Sequence, residues 1–255
     1  MTPRFHVDLP LQADQQLDLP ASAARHVQVL RLQPGAAITL FNGQGGEWQA
    51  EVIRMGRSDV HVRLLTHQPT QREMLFRVTL AVGMPTNDRM DGLVEKATEL
   101  GVFAVQPLMT ERSVLRLTGD RALKKVAHWQ GVAVAACEQS GRTHVPKIAQ
   151  VMSLSEWLKS LCSITPMIPM NPTPRSELRC VLSLREAEPW QNIAARLISA
   201  TQMCLLSGPE GGLTAAEETL ARQHGFAATS LGPRVLRADT APLAVLAALN
   251  LSTKL

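Results

Sequence analysis

Two glycine-bearing turns near the end of this 255-residue sequence have the residue types of a small-ligand site. The first, Ser207 to Gly212, leaves an apolar segment and enters a predicted helix that Thr214 and Glu217 begin as a Thr-x-x-Glu capping box. Its three glycines lack a Cβ, so a ligand can approach the backbone closely and bond to amide and carbonyl groups. A tight strand–helix connection is the alternative interpretation, although such a connection needs only one glycine.

The same turn lacks the features of the common phosphate-binding loops. No Gly-Lys-Ser/Thr follows it, and its glycine spacing is not that of a dinucleotide fingerprint. Glu210 places a carboxylate in the middle of the turn. The pattern therefore favours a ligand that is read by the backbone and is uncharged or cationic.

The second turn, Leu231 to Arg237, also connects a predicted strand to a predicted helix, for which Asp239 or Thr240 is the N-cap. Val235 and Leu236 can form an apolar lining for a ring. Arg234 and Arg237, which flank this apolar pair, are available for an anionic partner. Ordinary solvated surface arginines are the alternative.

A third polar group combines Thr110 to Ser113 with Glu138 to Arg142. The latter ends a long predicted helix whose last turns are apolar, so its polar residues are expected to project into a cleft. Solvation of a helix end accounts for the same pattern equally well.

Composition excludes several classes of protein. The hydrophobic fraction of 45% and charged fraction of 19% are globular values. The net charge of +4 is too small for a non-specific DNA binder, although arginine suits forked phosphate contacts. No apolar run is long enough to span a bilayer, and the first residues lack a signal-peptide core, so we expect a cytoplasmic protein.

The four cysteines are far apart in the sequence, with no Cys-x-x-Cys pair and no histidine at ligand spacing. They are predicted to be reduced, mostly buried thiols. We expect neither a disulfide nor a metal site.

The first 70 residues have the pattern of a small β-rich module. Ala36 to Asn42 and Glu47 to Met55 are predicted to form a hairpin, followed by a strand over Asp59 to Leu65. Ala21 to Leu30 is predicted to be a short helix on this sheet. Turn-forming residues place the linker at Thr66 to Thr70.

From residue 73 onward, predicted strands and helices alternate, which favours a mostly parallel sheet with helices on both faces. Asp88 is the expected N-cap of a helix that ends at Leu100, before Gly101. The proline-rich stretch Ile164 to Pro174 is predicted to be an extended loop or an insertion. The later predicted elements are strands Arg77–Val82, Val102–Met109, Cys180–Leu184, Met203–Leu206 and Ala227–Leu231, and helices Asp120–Gln139, Trp190–Ser199, Ala215–His224 and Thr240–Leu251.

Seven segments support a family assignment when they are taken together: Arg25–Arg31, Phe41–Gly43, Glu95–Val102, Thr110–Ser113, Glu138–Arg142, Gly208–Gly212 and Leu231–Arg237. In this order they resemble the bacterial 16S ribosomal RNA uridine-N3 methyltransferases of the SPOUT superfamily, over nearly the whole chain. Asp239 departs from that pattern, where glutamate is expected before Thr240 and Ala241.

The resemblance implies a PUA-like, partly barrel-shaped RNA-binding β domain over residues 1–70. It implies a SPOUT methyltransferase domain over residues 73–255, an α/β fold with a trefoil knot. It further implies S-adenosylmethionine as cofactor, 16S ribosomal RNA as substrate and a homodimeric state. The apolar final helix suits burial between subunits, and an internal core face explains it equally well.

The resemblance also implies roles for particular residues. Those expected to bind the cofactor are Leu184, Ser207, Gly208, Pro209, Gly211, Gly212, Leu231, Gly232, Val235, Leu236, Thr240 and Ala241. Those expected to contact RNA are Arg4, Arg25, Arg31, Arg112 and Arg234.

Methylation of uridine N3 requires loss of the N3 proton. Glu138 or Glu210 is the expected proton acceptor or base-holding carboxylate. Arg142 or Arg237 is expected to stabilise negative charge on the uracil oxygens. Two alternatives remain: another knotted methyltransferase that acts on a ribose oxygen or on transfer RNA, and a non-catalytic RNA-binding assembly factor.

Overall fold

The computed structural model describes residues 2–163, 176–197 and 200–252. Contacts between residues divide the chain into two compact units. The first contains the residues up to 73 together with 134–145, and the second contains residues 74–133 with those from 146 onward. The domain division predicted at residues 70–73 did not anticipate that 134–145 joins the first unit.

The first unit is built on a five-stranded sheet in the order β1-β3-β4-β5-β2. Its buried apolar cluster includes Phe5, Val27, Ile38 and Val62, which lets helix α1 cover the sheet. Its elements are β1 (Arg4–His6), β2 (Gln16–Asp18), α1 (Ala21–Val29), β3 (Ala37–Phe41), β4 (Glu47–Met55) and β5 (Val60–Gln68).

The predicted hairpin is confirmed, because β3 and β4 pair antiparallel with Ile38 opposite Ala50. The predicted linker was wrong at its start, since β5 continues through residues 66–68 and pairs with β4. Pairing with a neighbouring strand there outweighs the local turn preference. Strands β1 and β2 have three residues each, too short for an alternating pattern to identify.

A buried carboxylate, Glu47, organises one edge of the first unit. It forms ion pairs with Arg4 and Arg72, and Thr70 donates a hydrogen bond to it. Both guanidinium groups also donate to the carbonyl oxygen of Gly141, at 3.2 Å from Arg4 and 2.7 Å from Arg72. Burial alone would raise the pKa of Glu47, but the bonds from Arg72 and Arg4 lower this pKa from 4.5 to about 2.

The second unit alternates strands and helices. Its strands are β6 (Arg77–Gly83), β7 (Ala104–Met109), β8 (Lys147–Ile148), β9 (Met152–Ser153), β10 (Ser176–Leu182), β11 (Glu188–Pro189), β12 (Ala200–Ser207) and β13 (Ala227–Ser230). Its helices are α2 (Asn87–Glu99), α3 (Gly119–Ser140, which ends in the first unit), α4 (Leu154–Ser163), α5 (Trp190–Arg196), α6 (Ala215–Gln223) and α7 (Thr240–Ser252).

The strands of the second unit form a parallel sheet in the order β11-β13-β10-β12-β6-β7-β8, with β9 also paired to β7. Helices α4 and α6 pack over one face in an apolar cluster that includes Trp157 and Ala221. Leu80 and Leu205 are fully buried on the other face, and α7 contacts β12 and α2. The predicted parallel α/β architecture is confirmed.

Several element ends differ from the sequence-based prediction. The N-cap position of helix α2 is occupied by Thr86 and not by Asp88, which lies in the first turn of the helix. Gly101 adopts a φ of +89° directly after the helix, as expected for its C′ stop. Helix α4 was not predicted. The segment Ile164 to Pro174 and the predicted end of helix α5 at Ser199 lie outside the described residues.

The predicted burial of the cysteines is confirmed for three of them, and the side chain of Cys162 lies outside the described part of the structure. Cys137, Cys180 and Cys204 are free and buried, and burial raises the pKa of Cys180 to about 11 and that of Cys137 to about 12. Among the described residues, no three metal-binding side chains are grouped to hold an ion, and no helix has both the length and the apolar character needed to cross a bilayer.

Glu47 generates a prediction about acid stability. Glu47→Gln leaves Arg4, only 8% exposed, without its countercharge, so the free energy of unfolding at neutral pH is expected to fall by about 3 kcal/mol. A carboxylate with a lowered pKa stabilises the fold fully above pH 4.5 and loses that effect as the pH falls towards about 2. Urea unfolding at a series of pH values should therefore show the wild-type and variant curves converging at low pH.

The matched control is Glu51→Gln. Glu51 lies on the same strand as Glu47, and its substitution removes an exposed ion pair with Arg63. This control should cost less than about 1 kcal/mol. If the two variants lost equal amounts of unfolding free energy, the importance assigned to Glu47 would be contradicted.

A second prediction concerns Gly83 at the end of β6. A Cβ there would lie 2.6 Å from Pro209 Cδ and 2.9 Å from Pro209 N, so Gly83→Ala must displace backbone and should cost about 1–3 kcal/mol. Gly131→Ala, at an open position within α3, should instead stabilise the protein by about 0.5–1 kcal/mol. Thermal unfolding should show a lower stability for Gly83→Ala and a higher stability for Gly131→Ala than for the wild-type protein. An unchanged stability of Gly83→Ala would contradict the prediction.

Candidate functional site

A cavity of about 310 Å³ lies beyond the carboxyl ends of three adjacent parallel strands, β13, β10 and β12. In parallel sheets this edge is the usual place for ligands, because the loops that follow the strands converge there. The lining residues are Arg112, Leu182, Ser183, Leu184, Arg185, Ser207, Gly208, Pro209, Glu210, Gly211, Gly212, Leu213, Glu218, Thr229, Leu231, Arg234, Val235, Leu236, Ala238 and Ala241.

The glycine turn after β12 is compact because its backbone folds onto itself. The Gly212 amide donates to the Pro209 carbonyl oxygen at 2.8 Å, and Gly212 adopts a φ of +67°. A Cβ at Gly208 would lie 2.8 Å from the Leu213 amide nitrogen. Glycine is therefore required at Gly208 by close packing and favoured at Gly212 by its left-handed conformation.

Glu217 joins this turn to the loop that follows β7. Its carboxylate accepts hydrogen bonds from the amides of Thr214 and Glu111, both at 2.9 Å. The predicted capping box is confirmed, since the Glu217 amide also bonds to the Thr214 hydroxyl. Only 8% of Glu217 is exposed, so this bridge between two loops is buried.

The loop after β7 carries Arg112 to the cavity wall. The buried hydroxyl groups of Thr110 and Ser113 hydrogen-bond to each other at 2.9 Å and close the turn. Arg112 then donates to the Gly211 carbonyl oxygen at 2.8 Å, with its aliphatic stem packed on that glycine. Arg112 is thereby anchored on the glycine turn.

Glu210 lines the cavity and also supports helix α2. Its carboxylate accepts from the Thr86 amide at 3.0 Å and lies 3.6 Å from the guanidinium of Arg89. Thr86 makes no side-chain cap of its own, so Glu210 supplies an acceptor at the start of this helix. About a quarter of the Glu210 side chain is exposed.

Most of the predicted cofactor residues lie together on the cavity wall. Gly232 instead lines a neighbouring cavity, and Thr240 begins helix α7, where its amide bonds to Asp239. Arg234 lines the first cavity, whereas Arg237 is exposed and is not among its lining residues.

Glu138 and Arg142, the other predicted catalytic residues, belong to the first unit. Glu138 accepts a hydrogen bond from the His6 amide at 2.9 Å and lies 3.3 Å from His26 Nδ1. Arg142 is 4% exposed and forms an ion pair with Glu73. Both side chains therefore have partners that stabilise the first unit, and their catalytic roles stay a prediction.

The predicted RNA-contacting arginines of the first unit differ in exposure. Arg25 and Arg31 are exposed, and Arg31 adopts a φ of +53° at the end of α1. Arg4 is largely buried against Glu47 and also donates to the Arg142 carbonyl oxygen at 3.0 Å. Arg4 thus has a structural function within this unit.

Sequence reasoning identified only Leu184 on one wall of the cavity, the loop after β10. This wall includes Ser183 and Arg185, and Glu218 of helix α6 lies beside it. The loop contains no glycine, so it lacked the signal that identified the other two. The predicted strand Cys180 to Leu184 was the available signal, because ligands bind beyond the carboxyl ends of parallel strands.

Comparison with known proteins divides the chain near residue 70. The RNA methyltransferase domain family matches residues 71–250, and the RNA methyltransferase PUA domain family matches residues 19–65. The ribosomal RNA small subunit methyltransferase E of Bacillus subtilis is 32% identical to this chain, over 99% of this chain and 97% of its own length.

Two solved structures are similar over almost the entire chain. The ribosomal RNA small subunit methyltransferase E from Neisseria gonorrhoeae, bound to S-adenosylmethionine, is 34% identical, with a TM-score of 0.86 and 98% of each chain covered. A methyltransferase from Legionella pneumophila, in complex with the same cofactor, is 31% identical with a TM-score of 0.88, covering 99% of this chain and 98% of that one.

The resemblance identified from the sequence is confirmed, and with it a SPOUT-type α/β domain preceded by a PUA-like domain. Two family profiles, and a relative that matches from end to end, show that this chain belongs to the ribosomal RNA small subunit methyltransferase E family.

Proposed function

We propose that this protein transfers a methyl group from S-adenosylmethionine to N3 of a specific uridine in 16S ribosomal RNA. The observation that carries the proposal is the backbone-rich cavity at the ends of β13, β10 and β12, in a chain of this family. The Neisseria relative, similar over its whole length, was solved with S-adenosylmethionine bound. The Bacillus relative is named for the small-subunit ribosomal RNA that it methylates.

The chemistry of the cavity wall fits this cofactor. Leu231 and Leu236 offer apolar contacts for the adenine ring, beside the glycine backbone of residues 208–212. Glu218 provides a carboxylate that suits the ammonium charge, and three arginines suit the carboxylate of the cofactor. S-adenosylmethionine carries one carboxylate, one ammonium group and one sulfonium group, so a wall with both acidic and basic side chains complements its charges.

The bound cofactor supplies an already activated methyl group, and its sulfur retains the electron pair of the broken S–CH₃ bond. The residues of the chain must align the uracil ring and take up the N3 proton, so that the N3 lone pair can form the new bond. Glu210 lines the cavity and is the carboxylate we assign to proton acceptance. Arg112 and Arg234 are the cavity arginines suited to hold the uracil oxygens or an adjacent phosphate.

RNA binding by the first unit is proposed to rest on its exposed arginines, including Arg25 and Arg31. The match to an RNA methyltransferase PUA domain supports this role. Bacterial ribosomal RNA is made and modified in the cytoplasm, which is where we propose that the protein acts.

A homodimer and a knotted backbone are also part of the proposal. Helix α7 leaves Leu251 87% exposed near the end of an apolar helix, which a second copy of the chain can cover. Strand β13 lies beside β10 on one side, and β12 lies beside β10 on the other. After β13 the chain crosses back over this part of the sheet, so that α7 contacts β12 and α2. This return path supports a trefoil knot.

The proposed reaction predicts a specific product. Incubation of the protein with S-adenosylmethionine and small ribosomal subunits from a strain lacking the gene should produce 3-methyluridine in 16S ribosomal RNA, measured by nucleoside mass spectrometry. A methylated ribose or a methylated transfer RNA would replace the proposal with another methyltransferase activity. No cofactor binding by calorimetry at millimolar concentration would favour a non-catalytic assembly factor.

The assignment of the proton acceptor predicts a contrast between two carboxylates. Glu210→Gln should lower kcat by about 100-fold, because the glutamine amide cannot accept the N3 proton. Glu138→Gln should lower kcat much less, since this side chain bonds to His6 in the first unit. Single-turnover kinetics with saturating cofactor measure both effects, and calorimetry checks that the cofactor still binds. Full turnover by Glu210→Gln would eliminate Glu210 as the acceptor.

A further inference from the structure

The loop after β10, residues 183–187, contains no glycine, and its residues 183–185 form one wall of the proposed cofactor cavity. Its first residue is fixed by buried contacts. The Ser183 amide donates to the Thr229 carbonyl oxygen at 3.0 Å, and the Ser183 hydroxyl donates to the Glu218 carboxylate at 2.8 Å. The same hydroxyl accepts from the Arg185 amide at 3.0 Å, which turns the chain.

The far end of this loop is conformationally unfavourable. Glu186 adopts a φ of +44°, in the left-handed region that residues with a Cβ rarely enter. Such a residue keeps this conformation only when its surroundings impose it. Leu184, Arg185 and Glu186 are all exposed, so packing within the loop supplies little of that constraint.

Arg222 supplies the constraint from helix α6. Its guanidinium donates to the carbonyl oxygen of Arg185 at 2.8 Å and reaches that of Glu186 at 3.4 Å. Arg222 follows Glu218 by four residues, so both side chains lie on one face of the helix. The loop is therefore held at two points, Ser183 by Glu218 and residues 185–186 by Arg222.

Arg222 is not among the residues that line the cavity, whereas Leu184 and Arg185 are. We propose that Arg222 is a positioning residue that sets the affinity for S-adenosylmethionine by holding Leu184 and Arg185 at the cavity wall. The inference rests on the proposed function, because it assigns the ligand of this cavity. Arg222 acts through the loop and not through contact with the cofactor.

The test begins with Arg222→Met, which keeps much of the aliphatic stem and removes the guanidinium. Isothermal titration with S-adenosylmethionine should show a Kd about five- to tenfold higher than that of the wild-type protein, the loss expected for about one net hydrogen bond. In methylation assays the KM for the cofactor should rise by a similar factor. The kcat at saturating cofactor and the KM for ribosomal subunits should stay within twofold of wild type.

A rescue variant separates positioning from general destabilisation. Glu186→Gly removes the unfavourable left-handed conformation of a residue with a Cβ, so the loop needs less support from Arg222. Alone, it should leave the Kd within twofold of wild type. Combined with Arg222→Met, it should recover most of the lost affinity.

The matched control is Arg179→Ala. Arg179 donates to the His224 carbonyl oxygen at 3.1 Å, so it also binds the C-terminal end of α6, whereas its side-chain bonds go to His224 and Glu177 and not to residues 183–187. Its Kd should equal that of wild type within twofold. If Arg222→Met does not fold, as judged by circular dichroism, Arg222→Lys replaces it, with an expected Kd increase of about two- to fivefold.

The outcomes distinguish this inference from the function on which it rests. No binding of S-adenosylmethionine by the wild-type protein overturns the proposed function. Wild-type binding with an unchanged Kd for the Arg222 variant overturns only the positioning role. Failure of Glu186→Gly to restore affinity, or an equal loss in Arg179→Ala, also overturns it.

Discussion

The buried carboxylate of Glu217 is the constraint on which the candidate site depends. It accepts amide hydrogen bonds from Thr214 and from Glu111, two residues that belong to loops far apart in the sequence. A buried carboxylate is stable only when such donors surround it, and the first turn of a helix adds its own favourable field. Because the two loops share one acceptor, neither can move without leaving a buried charge poorly solvated. The glycine turn and the Arg112 turn are thus fixed relative to each other.

Helix α6 extends this arrangement to a third loop. Successive polar residues on the helix bind different loops: Glu217 binds the two already named, Glu218 binds Ser183, and Arg222 binds the carbonyl groups of residues 185–186. The helix is in turn packed on the sheet through Ala221 in the apolar cluster with α4. A short helix with one apolar face and one polar face therefore connects the sheet to the loops that form the cavity walls.

Local signals predicted the parts of the site that depend on local chemistry. The capping box of Thr214 and Glu217 and the glycine turns were identifiable because glycine conformation and helix capping act over a few residues. In the loop of residues 183–187 only Leu184 was predicted, because the conformation of this loop is imposed by a helix side chain 37 residues away. The partners of Glu138 and Arg142 in the first unit likewise depend on tertiary contacts, with His6 and Glu73. Strand β1, which pairs parallel to β3, was not predicted because its three residues are too few to show an alternating pattern.

The order of the strands in the sheet has a consequence for how the protein is made. The cavity is bounded by β10, β12 and β13, all within the last third of the chain, and β12 must pair with β6, which emerges from the ribosome well over a hundred residues earlier. The strands of the N-terminal sheet, residues 4–68, are all synthesised before residues 134–145 of the same unit. The edge of β6 must wait for its partner, so every nascent chain passes through a stage in which the strands of its first sheet are complete while its second sheet has an open edge.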